Sequence, residues 1–189
     1  ILYLYDKFPQ TKNIIDNIDF LKINIKNNYS QPISLIGNFP YNISSQILFK
    51  VLENKDQITE IIGMFQKEVA ERITSKKGRK RGILSVYIQA FYDVEYCFTI
   101  NEYEFFPMPK IKSGVIKCTR NNRQSLGCHE KTFKIIVKSA FNQRRKTLRN
   151  ALKAFNLLDS EKLSNLLDLR AEELSVEDFI IITSHVKEK

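Results

Sequence analysis

Hydrophobic positions divide the chain into two regimes. Up to about residue 121, short apolar runs alternate with segments of helical spacing; from His129 onward only helical spacing occurs. Pro32 to Asn38 (PISLIGN) is a compact apolar run ending at a Gly-Asn turn signal, which suits a buried parallel strand. Ser44 to Asn54 places Ile47, Leu48, Val51 and Leu52 on one face of a helix, with Ser44 or Ser45 as its cap. Ile58 to Phe65 predicts the next strand and Glu68 to Thr74 a short helix. A basic loop, Lys76 to Gly82, follows. Ile83 to Tyr92 is apolar on most sides and fits either helix or buried strand; the order of elements favours helix. Val94 to Ile100 and Gly114 to Thr119 are β-rich and flank the Pro-containing stretch Phe105 to Pro109, predicting an antiparallel hairpin at a sheet edge. The order β-α-β-α-α-β-β matches the back half of an α/β sheet protein.

The second regime predicts helices over Glu130–Phe141, Arg144–Phe155, Ser160–Leu167 and Ser175–Val186. Ser175 with Asp178 resembles a capping arrangement, and Val176, Phe179, Ile180 and Thr183 share a face. The expected organisation is an α/β domain over residues 1–121 and a small all-helical domain over 122–189, joined through Asn121 to Gly127. No internal repeat or low-complexity tract interrupts either part.

Composition adds a partner class. Of 189 residues, 43% are hydrophobic and 27% charged, enough for one core or one core with a small appended domain. Thirty basic against 21 acidic residues give a formal charge of +9, which points to a polyanion, nucleic acid first; a generically basic surface is the alternative. The three cysteines, Cys97, Cys118 and Cys128, form no CxxC pair, which argues against a disulfide framework and a zinc ribbon. His129 and His185 lack ligand-like neighbours, so no metal is expected. Without a signal peptide or long apolar run, the chain reads as cytosolic with no membrane role. Ile1 to Tyr5 opens on an apolar run without an initiator methionine, as though the chain were entered midway.

Candidate chemistry gathers at Asn38-Phe39-Pro40-Tyr41, directly after the first predicted strand. Ligands of α/β sheets collect at the carboxyl ends of strands. An adenine N6 amine is a weak nucleophile because its lone pair is delocalised into the ring. Two acceptors, the Asn38 amide oxygen and the Phe39 carbonyl, can hold its hydrogens and favour tetrahedral character at nitrogen. Pro40 stiffens the turn that presents them, and Tyr41 can stack on an extruded base. An ordinary strand-ending turn with a buried Tyr is the competing reading; the flanking strand and Ser-capped helix favour chemistry.

These residues carry a family resemblance. Gly37 to Ser45 (GNFPYNISS) resembles motif IV of the rRNA adenine dimethyltransferases, written N-(L/I/Y)-P-Y-N-I-S-(S/T). The family's F-x-P-x-P-K-V-x-S motif is matched by Phe105, Pro107, Pro109, Lys110, Ile111 and Ser113; Met108 and Ile111 depart mildly from a proline and a valine. Phe141 to Asn150 (FNQRRKTLRN) resembles a segment of the KsgA-type small-subunit branch. The resemblance runs from about Tyr3 to the C-terminus. It implies a Rossmann-like class I methyltransferase domain, S-adenosyl-L-methionine as cofactor, and Phe105 opposite Tyr41 in an aromatic clamp on the target base. It also implies that Asp19, with Phe20 and Asn38, serves the cofactor side, an acid of motif III accepting from the cofactor's adenine amine. A lone Asp in a turn is otherwise a turn residue.

In the basic segment, Arg145 and Arg149 are expected one helical turn apart, with Arg144, Lys146 and Lys153 nearby, suiting phosphate contact from a rigid helix. The implied partner is small-subunit (16S) rRNA in a pre-ribosomal 30S particle, methylated at two adjacent adenosines by a monomer. The family's E-x-G-x-G turn is missing, since no two of the six glycines form GxG, and in register with the family Ile1 falls just beyond the ribose-binding acid. The reading is therefore a methyltransferase domain truncated at its front, expected to bind cofactor poorly and to be inactive by itself. The rivals are the macrolide-resistance branch, acting on large-subunit (23S) rRNA, and a non-catalytic ribosome-assembly factor. FNQRRKTLRN argues against the first; intact Asn38 and Tyr41 argue against the second.

Overall fold

Two short helices, α1 (Leu2–Lys7) and α2 (Ile25–Asn28), precede the first strand, β1 (Ile33–Asn38), in a computed structural model that describes residues 1–158 and 160–187. Helix α3 (Ser44–Glu53) crosses over to β2 (Ile58–Gln66), which pairs with β1 in parallel. Helices α4 (Lys67–Thr74) and α5 (Ile83–Gln89) follow, then β3 (Tyr92–Ile100) and β4 (Ser113–Arg120). The sheet order is β1-β2-β4-β3, with β4 antiparallel to both neighbours. The expected hairpin is present, and β4 inserts between β2 and β3, leaving β3 at the edge. β1 is parallel as expected but not buried on both faces: its exposure alternates, and Ile36 is 77% exposed.

The α3 face predicted from spacing is buried at Ile47, Leu48, Val51 and Leu52. Its cap differs from expectation. Ile43 holds the cap position, and Ser44 Oγ donates instead to the Tyr41 carbonyl at 3.0 Å. That bond ties the helix start to the preceding turn. In the middle of the sheet, Cys118 is fully buried, and desolvation pushes its thiol up to about 12; Cys97 is exposed.

The helical region comprises α6 (Glu130–Asn142), α7 (Leu148–Ala151), α8 (Glu161–Leu167) and α9 (Val176–Ser184). The Ser175–Asp178 capping box is formed, and Ser160 caps α8 by accepting from Leu163 N–H. The helix expected over Arg144–Phe155 is broken: only Leu148–Ala151 is α-helical, after an extended Thr147 at ψ 158°. The turn lets Leu148, Ala151 and Leu152 pack into the core, while Leu148 N–H donates to Leu169 O at 2.8 Å. Burying each leucine is worth about 1.5–3 kcal/mol, against about 0.5–1.5 kcal/mol for each helical hydrogen bond forgone. Packing wins. The core continues from the sheet into this region through Tyr87, whose ring lies 6.3 Å from Phe133 and whose hydroxyl donates to Lys134 O at 2.6 Å.

Candidate active site

The turn after β1 is held by its own neighbours. Gly37 and Gly63 are partners across the β1–β2 ladder, and the Phe39 ring lies over both. A Cβ on Gly37 would sit 2.9 Å from Phe39 Cε1, and one on Gly63 would overlap the ring outright. Phe65 closes the far side, its ring centroid 5.5 Å from that of Phe39. Two glycines thus vacate the slot that fixes Phe39, which is only 8% exposed. With the side chain locked downward, the Phe39 carbonyl and the preceding Asn38 are set in place at the end of the strand. The Asn38 side chain is exposed, and neither it nor the Phe39 carbonyl has a hydrogen-bond partner among the described residues.

Tyr41 is fixed from three sides. Its carbonyl accepts from Ser44 Oγ, Ile43 N–H closes a 3.2 Å bond to Pro40 O, and its hydroxyl meets Ser113 Oγ at 2.5 Å. Ser113 is fully buried at the start of β4, opposite Gln66 at the end of β2. The two sequence motifs are therefore joined directly: the last residue of the Pro-rich motif anchors the tyrosine of the first. Asn38, Phe39, Pro40, Tyr41 and Phe105 line one open cleft of about 250 Å³, together with Met64, Phe106, Pro107 and Pro109. Sequence reasoning missed Met64 and Phe106. Met64 is legible only from register, as the partner of Asn38 on β2.

Asp19 caps a short 3₁₀ turn over Phe20–Lys22, its Oδ1 accepting from Leu21 N–H at 3.0 Å. Oδ2 lies 3.9 Å from Lys22 Nζ, and the carboxylate stays exposed. The half-buried Phe20 is covered by Lys50 of α3, whose Nζ lies 5.7 Å from the ring centroid and donates to Leu21 O and Ile23 O at 2.7 and 2.6 Å. This clamp fixes the Asp19–Phe20 segment against α3.

The basic residues fall into two groups. Arg144 is paired with Glu172 at 2.7 Å and donates to Arg79 O at 2.6 Å; Arg149 is paired with Asp168 at 2.8 Å. Arg145, Lys146 and Lys153 are exposed and make no ion pair among the described residues. Arg145 and Arg149 do not share a helix face, because the chain turns between them. The basic loop is docked too, with Gly78 N–H donating to Glu172 O at 2.8 Å. Its Arg81 is not a surface cation: 1% exposed, it donates to Ser75 O and Gln89 Oε1, and burial lowers it to about 10.

Among the described residues, no cluster of three His, Cys, Asp or Glu side chains could hold a metal, and no helix is long and apolar enough to cross a membrane. A family model described as "Ribosomal RNA adenine dimethylase" matches residues 4–187. A ribosomal RNA small subunit methyltransferase A of Flavobacterium johnsoniae is 56% identical over 187 residues, covering 98% of this chain and 72% of that protein. A dimethyladenosine transferase structure from Plasmodium falciparum superposes with a TM-score of 0.72 at 21% identity, covering 87% of this chain and 69% of that one. The 23S rRNA methyltransferase ErmE gives a TM-score of 0.69 at 20% identity, covering 99% of this chain and 78% of that one; at such identities the likeness concerns the fold. With the family model spanning nearly the whole chain and the strand-end turn intact, the protein belongs to the ribosomal RNA adenine dimethylase family.

Proposed function

We propose that the protein dimethylates the N6 of two adjacent adenosines near the 3′ end of small-subunit (16S) rRNA, acting as a cytosolic monomer on a pre-ribosomal 30S particle. The observation that carries this reading is a pair of acceptors without a partner among the described residues, Asn38 Oδ1 and the Phe39 carbonyl, beside an aromatic cleft. Residues 1–121 would form the catalytic domain and 122–189 the helical RNA-binding domain. The small-subunit branch is favoured over the large-subunit branch by FNQRRKTLRN and by the 56% identity to a small-subunit methyltransferase.

The methyl donor is S-adenosyl-L-methionine, which when bound supplies an electrophilic sulfonium methyl carbon. The residues present fit its adenine end: Asp19 keeps an exposed carboxylate oxygen as acceptor, and Phe20 offers an apolar ring beside it. Asn38 and Phe39 accept the two N6 hydrogens of the target adenine, directing the nitrogen lone pair out of the ring plane. Tyr41 and Phe105 hold the extruded base by stacking. Attack makes the nitrogen cationic, and its proton passes to water through the open cleft, so no strong general base is required. After one methylation a single N6 hydrogen remains, and one of the two acceptors suffices to orient it. Arg145, Lys146 and Lys153 contact phosphates, while Arg144 and Arg149 brace the surface through their carboxylate partners.

Labelled cofactor, given to the full-length protein with either unmethylated small subunits or large-subunit rRNA, tests the substrate. Label is expected on the small-subunit RNA; label confined to large-subunit RNA would overturn the assignment. Asn38→Ala is expected to lower transfer at least about 100-fold while RNA binding stays unchanged. An active variant would refute the role of Asn38.

A further inference from the structure

We propose that Phe106 is a stacking platform for the nucleobase next to the target adenosine, an inference that rests on the base-binding reading of the cleft. Phe106 is 102% exposed, yet it lines the same cleft as Asn38 and Tyr41. Its neighbour Phe105 has extended backbone, φ −116° and ψ 147°, so the two rings point to opposite sides of the chain. Phe105 turns partly inward, leaving Phe106 on the rim.

The loop that carries this ring is secured at both ends. Phe105 N–H donates to Glu102 O at 3.3 Å, Lys112 O accepts from Lys67 N–H at 2.9 Å, and the next residue is the buried Ser113. A ring on an anchored loop is presented to solvent at little ordering cost on binding. Phe106 shares its loop with the exposed Met108 and Ile111, and several apolar side chains left in water together beside a site mark recognition. The occupant follows from continuity with the cleft. An RNA strand that gives one base to Asn38 and Tyr41 must lead its neighbour across the rim, where every base has a face that can stack on an aromatic ring. The ring is apolar within a chain of net charge +9, so it adds base contact where the lysines and arginines give only phosphate contact.

The test is a binding cycle read by fluorescence anisotropy. A fluorescein-labelled small-subunit rRNA hairpin with two adjacent adenosines in its loop is compared with versions abasic on the 5′ or the 3′ side of the target. Phe106→Ala is expected to weaken binding of intact RNA about tenfold and to cost under about twofold on one of the abasic RNAs. Phe106→Tyr should stay within about twofold of the parent, whereas Phe106→Leu, apolar but not aromatic, should not restore binding. No loss on intact RNA, an equal loss on all three RNAs, or full rescue by leucine would overturn the proposal. The side chain is fully exposed, so these variants should fold as the parent does. Methyl transfer to the intact hairpin is measured separately with the full-length protein. Missing label with the coupling intact would overturn the methylation reading and still support a base platform at Phe106.

Discussion

The Tyr41 hydroxyl and Ser113 Oγ form a pair whose two ends are not equivalent. Tyr41 is half-buried at the cleft, whereas Ser113 is fully enclosed. Removing the serine leaves a phenol that can turn to water; removing the phenol leaves a buried hydroxyl without its partner. Tyr41→Phe is therefore expected to cost about 1–3 kcal/mol of stability and Ser113→Ala about 1 kcal/mol or less, both measured by urea denaturation. The reverse order would mean that the serine finds another partner. Asn38 to Tyr41 was legible in the sequence because its chemistry depends on adjacent residues and on the strand before them. The Tyr41–Ser113 bond spans 72 positions, and no local pattern signals which hydroxyl will meet which. Arg81 was hidden for the opposite reason. Flanked by lysines and glycines, it reads as solvated, and only the packing of Ser75 and Gln89 around it reveals a buried cation.

At the scale of elements, the β1–β2 pair does more than place Asn38 at a sheet edge. Its two facing glycines create the slot for the Phe39 ring, with Phe65 preventing retreat. Gly63→Ala is expected to destabilise the protein by about 1–3 kcal/mol through overpacking and to lower methyl transfer more than RNA binding. Unchanged transfer would show that the turn keeps its geometry without the slot. Neighbouring elements bury groups that titrate in alkali. Burial raises Cys118 and Tyr87 to about 12, with Tyr92 also raised. These groups stay protonated in the folded protein while the unfolded chain ionises near pH 9 to 10, so stability is complete below pH 9 and falls as pH rises toward 12. Thermal melts between pH 8 and 11 should show that decline, and Cys97 should react with thiol reagents long before Cys118. Strands and the long helices were readable from period because each buries one recurring face. The Arg144–Phe155 segment was not, since its helical spacing is equally satisfied by a short helix after a turn, and the choice is made by a distant Leu169 carbonyl.

Across the whole molecule, the charge of +9 is not spread as free cations. Arg144 and Arg149 lie in one of the chain's two most basic segments, yet each is tied to a carboxylate of the helical region, and Arg144 also grips the loop after α4, the other basic segment. The exposed pair Arg145 and Lys146 sits between them, unneutralised by any ion pair among the described residues. If phosphate contact is made by the unpaired cations, the two groups must differ in salt dependence. A phosphate contact releases counterions, whereas an internal ion pair does not. Replacing Arg145 and Lys146 together with alanine should weaken rRNA binding at low salt and flatten the slope of log K against log salt by roughly 1 for each lost contact. Arg149→Ala removes an exposed pair worth about 0–1 kcal/mol of stability and should leave that slope nearly unchanged. Anisotropy titrations from low to moderate salt separate the two outcomes. A slope that flattens equally for Arg149→Ala would mean that the Asp168 pair opens on RNA. The segment would then bind as a block of cations, with no division between contact and brace.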